Sequence, residues 1–172
     1  ADVKGYWWLW NREDNSIMAA TYAELGDPVT SVATLISSNW SGNGSDVASS
    51  VGSTPAAIAA SWDVGKRNLK NGDIIRVYET SGGHDLLGIG KGVDKGTASI
   101  AIDISTATSR AKLRKLYSGV VSILQGVKAG SVTKPTGYAS IDIMSRSDQS
   151  DKLRRWYRYV LNCEITSYEV VN

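Results

Sequence analysis

Hydrophobic positions along this chain change period several times, and each change marks an element. Asp27-Pro28 opens the first. An aspartate is a good helix cap, and proline at the first helical position gives up an N–H that would have no partner there. Val29, Val32, Ile36 and Trp40 follow at spacings of three and four, the single apolar stripe of an amphipathic helix. Downstream, SGNGSDVASSVGSTP (41–55) has no pattern to bury and reads as a loop.

Period two then takes over. Residues 56–64 read as a weak strand and 72–80 as a stronger one. The second carries β-branched and aromatic residues between the turn signals Asn71-Gly72 and Ser81-Gly82-Gly83. Residues 84–93 are broken by glycines, so they read as either a bulged strand or a loop, and Asp94-Lys95-Gly96 reads as a hairpin connection. In TASIAIDIST (97–106), Ile100, Ile102 and Ile104 alternate with Ser99, Ala101 and Asp103, predicting one buried face and one wet face.

After Ser105 or Thr106, both competent caps, the helical period returns. Leu113, Leu116, Tyr117, Val120, Leu124 and Val127 form a second stripe, which ends near Gly126 or Gly130. The strand YASIDIMSRS (138–147), the polar loop SDQSDK and a long strand within 154–170 complete the pattern. In that last strand Tyr157, Tyr159, Leu161, Cys163 and Ile165 share one face, with Trp156, Arg158, Asn162, Glu164 and Thr166 on the other. The order of helix, three or four strands, helix and two strands spells an α+β domain over 21–172. It predicts a largely antiparallel sheet of four to five strands with two helices on one face. Residues 1–20 precede it as an aromatic extension.

Composition narrows the chemistry. A chain of 172 residues can bury a core without staples, and the absence of Phe leaves Trp, Tyr, Ile, Leu and Val to fill it. Cys163 and His84 are each the sole residue of their type, so no disulfide within the chain and no metal centre or bound cofactor is expected. A central-strand Cys163 among aromatics is a poor thiolate, which argues against a His84–Cys163 nucleophile. Gly90-Lys91-Gly92 leads into a strand rather than a helix, so it is not a phosphate loop. Asp103 and Asp142 lie on strands without any spacing that singles them out, and solvation on a polar sheet face accounts for them. The sequons at Asn39 and Asn43 are short enough to arise by chance. No apolar run reaches the length of a membrane span.

Charge is uneven even though the net value is only +2, which makes no global case for nucleic acid. Between residues 104 and 141 there are six Lys or Arg and no acid, with Arg110, Lys112, Arg114 and Lys115 crowded at the second helix start. Lys152, Arg154, Arg155 and Arg158 form a second cluster. Together they could track a phosphate backbone as a basic nucleic-acid-binding α+β module. The plainer reading is a solvated helix face with ion pairs to acids elsewhere, because no base-stacking aromatics interleave with the helical cluster. Near the start, YWWLW brings Trp7, Trp8 and Trp10 together. This extension reads as an appendage, as an arm that docks on a neighbouring subunit, or as an interfacial membrane anchor too short to span.

Three blocks together resemble the tail-terminator, or tail-completion, proteins of tailed viruses. They are DPVTSVATLISSNW, then IAIDISTATSRAKLRKLYSGVVSIL, then YASIDIMSRSDQSDKLRRWYRYVLNCEITSYE. The resemblance covers roughly 21–169 and is one of element order and patterning. It implies a structural virion protein without enzyme activity, located in the tail or neck and in the host cytoplasm during assembly. Its partners would be itself, as a homo-oligomeric ring of the hexameric kind, the tail tube, and the neck or connector proteins. DNA would pass the lumen, and no membrane is involved. Another neck or minor tail protein of the same viruses fits the same plan. Arg110, Lys112, Arg114, Lys115, Arg154 and Arg155, with Trp7, Trp8 and Trp10, are the candidate partner or lumen contacts. The hairpin 82–97 and the loop 147–154 are the segments expected at ring contacts. The aromatic extension and the long 41–54 connection are departures from the family outline.

Overall fold

The computed structural model describes residues 8–10, 17–19, 27–41, 47–52, 55, 57–60, 72–86, 93–151, 153 and 155–170. In chain order the elements are β1 (Trp8–Trp10), β2 (Ile17–Ala19), α1 (Pro28–Ser41), α2 (Val47–Val51), β3 (Ala57–Ala60), β4 (Ile74–Leu86), β5 (Val93–Thr106), α3 (Arg110–Ala129), β6 (Tyr138–Asp148) and β7 (Tyr157–Val170). The class is α+β, as the pattern predicts. β1 and β2 pair antiparallel as a separate ribbon, and the other five strands form one sheet in the order β3-β4-β5-β7-β6. The sheet is mixed, because β3 runs parallel to β4 while every other pairing is antiparallel.

The first helix forms where its capping chemistry demands. Asp27 Oδ1 accepts from the Val29 N–H at 3.1 Å and Oδ2 from the Thr30 N–H at 3.2 Å, satisfying two of the donors that a helix start leaves open. Val29, Val32, Ile36 and Trp40 are all fully buried. The segment read as patternless loop holds a third helix: α2 turns Val47 and Val51 inward, a spacing of four that five residues can supply. Ser109, rather than Ser105 or Thr106, caps α3, its side chain accepting from the Lys112 N–H at 3.1 Å. Thr106 instead ends β5 and donates to Asp73 Oδ1 at 2.6 Å. At the other end Gly130 adopts φ 78°, the left-handed cap glycine tolerates, so Gly126 lies inside the helix.

The helices share one side of the sheet and one core. Ile100, Ile102 and Ile104 of β5 meet Leu113, Leu116, Val120 and Leu124 of α3, with Tyr159, Leu161, Cys163 and Ile165 of β7 beside them. Strand register extends further than the turn signals suggest. Ser81, Gly82 and Gly83 stay within β4 past a bulge between Glu79 and Ser81, and Asp94-Lys95-Gly96 belongs to β5. The connection between β4 and β5, including Gly90-Lys91-Gly92, falls outside the described residues. So do Trp7, Lys152, Arg154 and Asn43.

The opposite side of β5 is not wet. Ala101 is 1% exposed and Asp103 3%, between β4 and β7 in the middle of the sheet. Arg158, one strand over, is buried with them and donates from Nε to Asp103 Oδ1 at 2.8 Å. Asp103 is therefore a neutralised interior carboxylate rather than the solvated residue the alternation suggests. A lone buried charge would be costly, so the pair has to be made.

Candidate interaction surfaces

The ladder separates the chemistry-bearing residues into two regions. Ile74, Thr106 and Tyr157 lie at one end of the sheet, where α3 begins, and Leu86, Val93 and Val170 at the other. At the α3 end Arg110 pairs with Asp148 of β6, and Lys112 Nζ lies 3.6 Å from Asp73 Oδ2. Half of the helical basic cluster is thus neutralised within the chain. Arg114, Lys115 and Arg155 are exposed and have no ion pair among the described residues. α3 and the loop after β6 share this end, which places Arg114 and Lys115 near the base of the loop that carries Arg155. The free charge here is smaller than the count of residues implies.

The loop after β6 is built rather than slack. Asp151 and Trp156 exchange backbone hydrogen bonds at 2.7 and 2.9 Å, and Asp151 Oδ1 accepts from the Leu153 N–H at 3.0 Å. Arg155 closes the turn at φ 51°. That geometry leaves Leu153 98% exposed at the tip. Arg158 anchors the base of the loop by donating to Gln149 and lying over the Trp156 ring at 5.5 Å.

Arg146 is a residue the sequence pattern conceals. Simple alternation from Ile141 and Ile143 would send it to the far side of the sheet. A bulge between Ile143 and Ser145 shifts the register, so that Arg146 matches Leu161 on the helix side. Its guanidinium stands 5.1 Å from the Tyr117 ring centre and 5.0 Å from that of Tyr159, which contact each other edge to face.

Toward the other end a concave groove of about 450 Å³ opens on the helix side of the sheet. Pro28, Tyr138 and Ile165 give it apolar walls, and Gly82, Gly96 and Ala98 a floor without side-chain bulk. A Cβ at Gly82 would stand 2.8 Å from Glu79 Oε1, so glycine there lets the Glu79 carboxylate lie over the floor. Burial pushes the Tyr138 hydroxyl above its usual pKa.

The enzyme-like arrangements do not come together. Cys163 is 1% exposed, and burial pushes its thiol up to about 12. Its β5 partner is Ile100, whereas His84 pairs with Gly96, four positions away along the strand and roughly 13 Å in extended backbone. Asp103 and Asp142 match Val160 and Glu164 of β7, equally far apart. Asp142 accepts from Lys128 Nζ at 2.9 Å, and that bond, then one from Ser140, holds its carboxyl below the usual range. Asn39 lies buried in α1, its amide donating to the Leu35 carbonyl, so its sequon is not presented. Among the described residues no group of three or more His, Cys, Asp and Glu could hold a metal, and no helix is long and apolar enough to cross a membrane. Trp8 and Trp10 fall in β1, whose strand partner is β2.

No protein-family model matches this chain. No curated protein matches it either. Among solved structures, a chain from the virion of a native gene transfer agent particle is similar in fold. It superposes with a TM-score of 0.54 at 14% identity, over 87% of this chain and 100% of that one.

Proposed function

We propose that this chain is a non-enzymatic structural subunit of a phage-like particle, and that it acts as a tail terminator. Copies would join in a ring that caps the tail tube and meets the neck. The observation that carries this reading is the fold correspondence with a gene transfer agent virion chain, over 87% of this chain and the whole of that one. The order of α1, the β3–β5 strands, α3 and the final strand pair, on which the resemblance to tail terminators rests, supports the finer assignment. A virion location, with assembly in the host cytoplasm, follows from the same reading. So do the tail tube and neck proteins as partners.

Two features suit a scaffold. The interior is filled by aliphatic and aromatic side chains, with its central charge neutralised by the Arg158–Asp103 pair. Exposed apolar groups lie at the loop tip, on the edge strand β6 and near the end of β7 instead, with Leu153 98%, Met144 64% and Tyr168 50% exposed. The nucleic-acid reading is weakened because Arg110 and Lys112 are spent on Asp148 and Asp73.

Light scattering after size exclusion tests the proposal. The expected result is a species six times the 18.5 kDa chain mass, seen as rings by electron microscopy. A monomer at every concentration up to about millimolar would overturn the ring assignment, since specific subunit contacts assemble well below that.

A further inference from the structure

The tip of the β6–β7 loop and the groove over β4 and β5 are unlike surfaces that complement each other. One is an apolar knob with a cation close by: Leu153 is 98% exposed, and Arg155 is exposed without an ion pair among the described residues. The other is an apolar cleft under a carboxylate: Pro28, Tyr138, Ala98 and Ile165 line it, and Glu79 lies across the Gly82 floor. We propose that the Leu153 loop of one copy seats in the groove of the next, with Arg155 against Glu79, and that this contact joins neighbouring subunits head to tail. The inference rests on the ring reading above and names the surfaces that would close it.

Geometry excludes the same chain as its own occupant. Ala98, on the groove floor, and Thr106, beside the loop end, are eight positions apart on β5, about 27 Å in extended backbone. Both are fixed in one hydrogen-bonded sheet, and the loop is held by the Asp151–Trp156 bridge. A knob and a cleft at different places on one molecule make a heterologous contact, which closes into a ring when the rotation per subunit divides the circle. Charge favours this occupant as well. The exposed cations Arg114, Lys115 and Arg155 gather at the loop end, whereas the groove presents the Glu79 carboxylate. Because Asp151, Leu153 and Trp156 are already tied together by hydrogen bonds, seating Leu153 costs little conformational freedom.

Charge reversal across the contact provides the test, read as the concentration of half-assembly by light scattering on the full chain. Leu153→Asp and Glu79→Arg are each expected to raise that concentration by more than about tenfold, by placing a charge in the cleft or repelling Arg155. Both positions are exposed, so neither change should unfold the domain, and matching thermal melts would confirm this. Glu79→Arg combined with Arg155→Glu is expected to restore assembly. If the natural sequence assembles and both single variants assemble at its concentration, the loop–groove contact is overturned while the ring reading stands. Failure of the double variant to recover beyond Glu79→Arg alone also overturns the contact. A natural sequence that never assembles overturns both.

Discussion

Arg158 serves two places at once. Its Nε donates to Asp103 across β5 and β7, and its other end holds Gln149 and the Trp156 ring at the base of the exposed loop. The ion-pair side chains are 8% and 4% exposed, so neither charge has water to fall back on if its partner is removed. Breaking such a pair from one side leaves an uncompensated interior charge and costs about 3–5 kcal/mol. Arg158→Met or Asp103→Leu should each lose stability on that scale in urea denaturation. The double variant should recover most of it, because two apolar residues of similar volume fit the site without a stranded charge. Additive losses in the double variant would show that packing, rather than charge pairing, holds Arg158 in place.

At the scale of elements, Gly119 shows how the helices come so close. A Cβ there would stand 2.8 Å from Trp40 Cη2, 2.9 Å from Val47 Cγ1 and 3.1 Å from Val51 Cγ2. Mid-helix glycine weakens α3 by roughly 0.5–1 kcal/mol relative to alanine, which opposes keeping it. The overpacking penalty of forcing in a methyl is about 1–3 kcal/mol, so close approach of α1 and α2 wins. Gly119→Ala should therefore destabilise by up to about 2 kcal/mol in chemical denaturation, despite its better helix propensity. A stabilised variant would mean that Trp40 swings clear. The same elements mark how far the chain's pattern could be read. The α1 and α3 stripes and the β5 isoleucines were legible because each buries a long periodic face against one layer. Helix α2 was not, since two valines four apart carry no period of their own and acquire meaning only against Gly119. The bulges at Glu79/Ser81 and Ile143/Ser145 were equally hidden. One moved Ser81-Gly82-Gly83 from turn into strand, and the other brought Arg146 over Tyr117 and Tyr159. The basic cluster was visible in sequence, but its neutralisation was not, because Asp73 and Asp148 come from distant segments.

For the whole molecule, the balance of charge decides between a scaffold and a nucleic-acid binder. Nineteen basic residues against 17 acids leave little net field, so any affinity for duplex must come from a local patch. At the α3 end that patch has been thinned: Arg110 and Lys112 are in ion pairs, and Arg146 lies over two tyrosine rings. Arg114, Lys115 and Arg155 remain as exposed cations without an ion pair among the described residues. Three phosphate contacts correspond to a log–log salt slope of about −2.7, or a loss of affinity near fortyfold between about 50 and 200 mM salt. Fluorescence anisotropy with duplex DNA should therefore find only weak binding at low salt, with a slope no steeper than this. Arg114→Gln with Lys115→Gln should flatten it by about two units without changing any sequence preference. A slope near −6 would require Arg110, Lys112 and Arg146 to leave their partners for phosphates as well. That result would favour the nucleic-acid-binding module over the ring subunit, because a scaffold that only lets DNA pass has no use for so many simultaneous contacts.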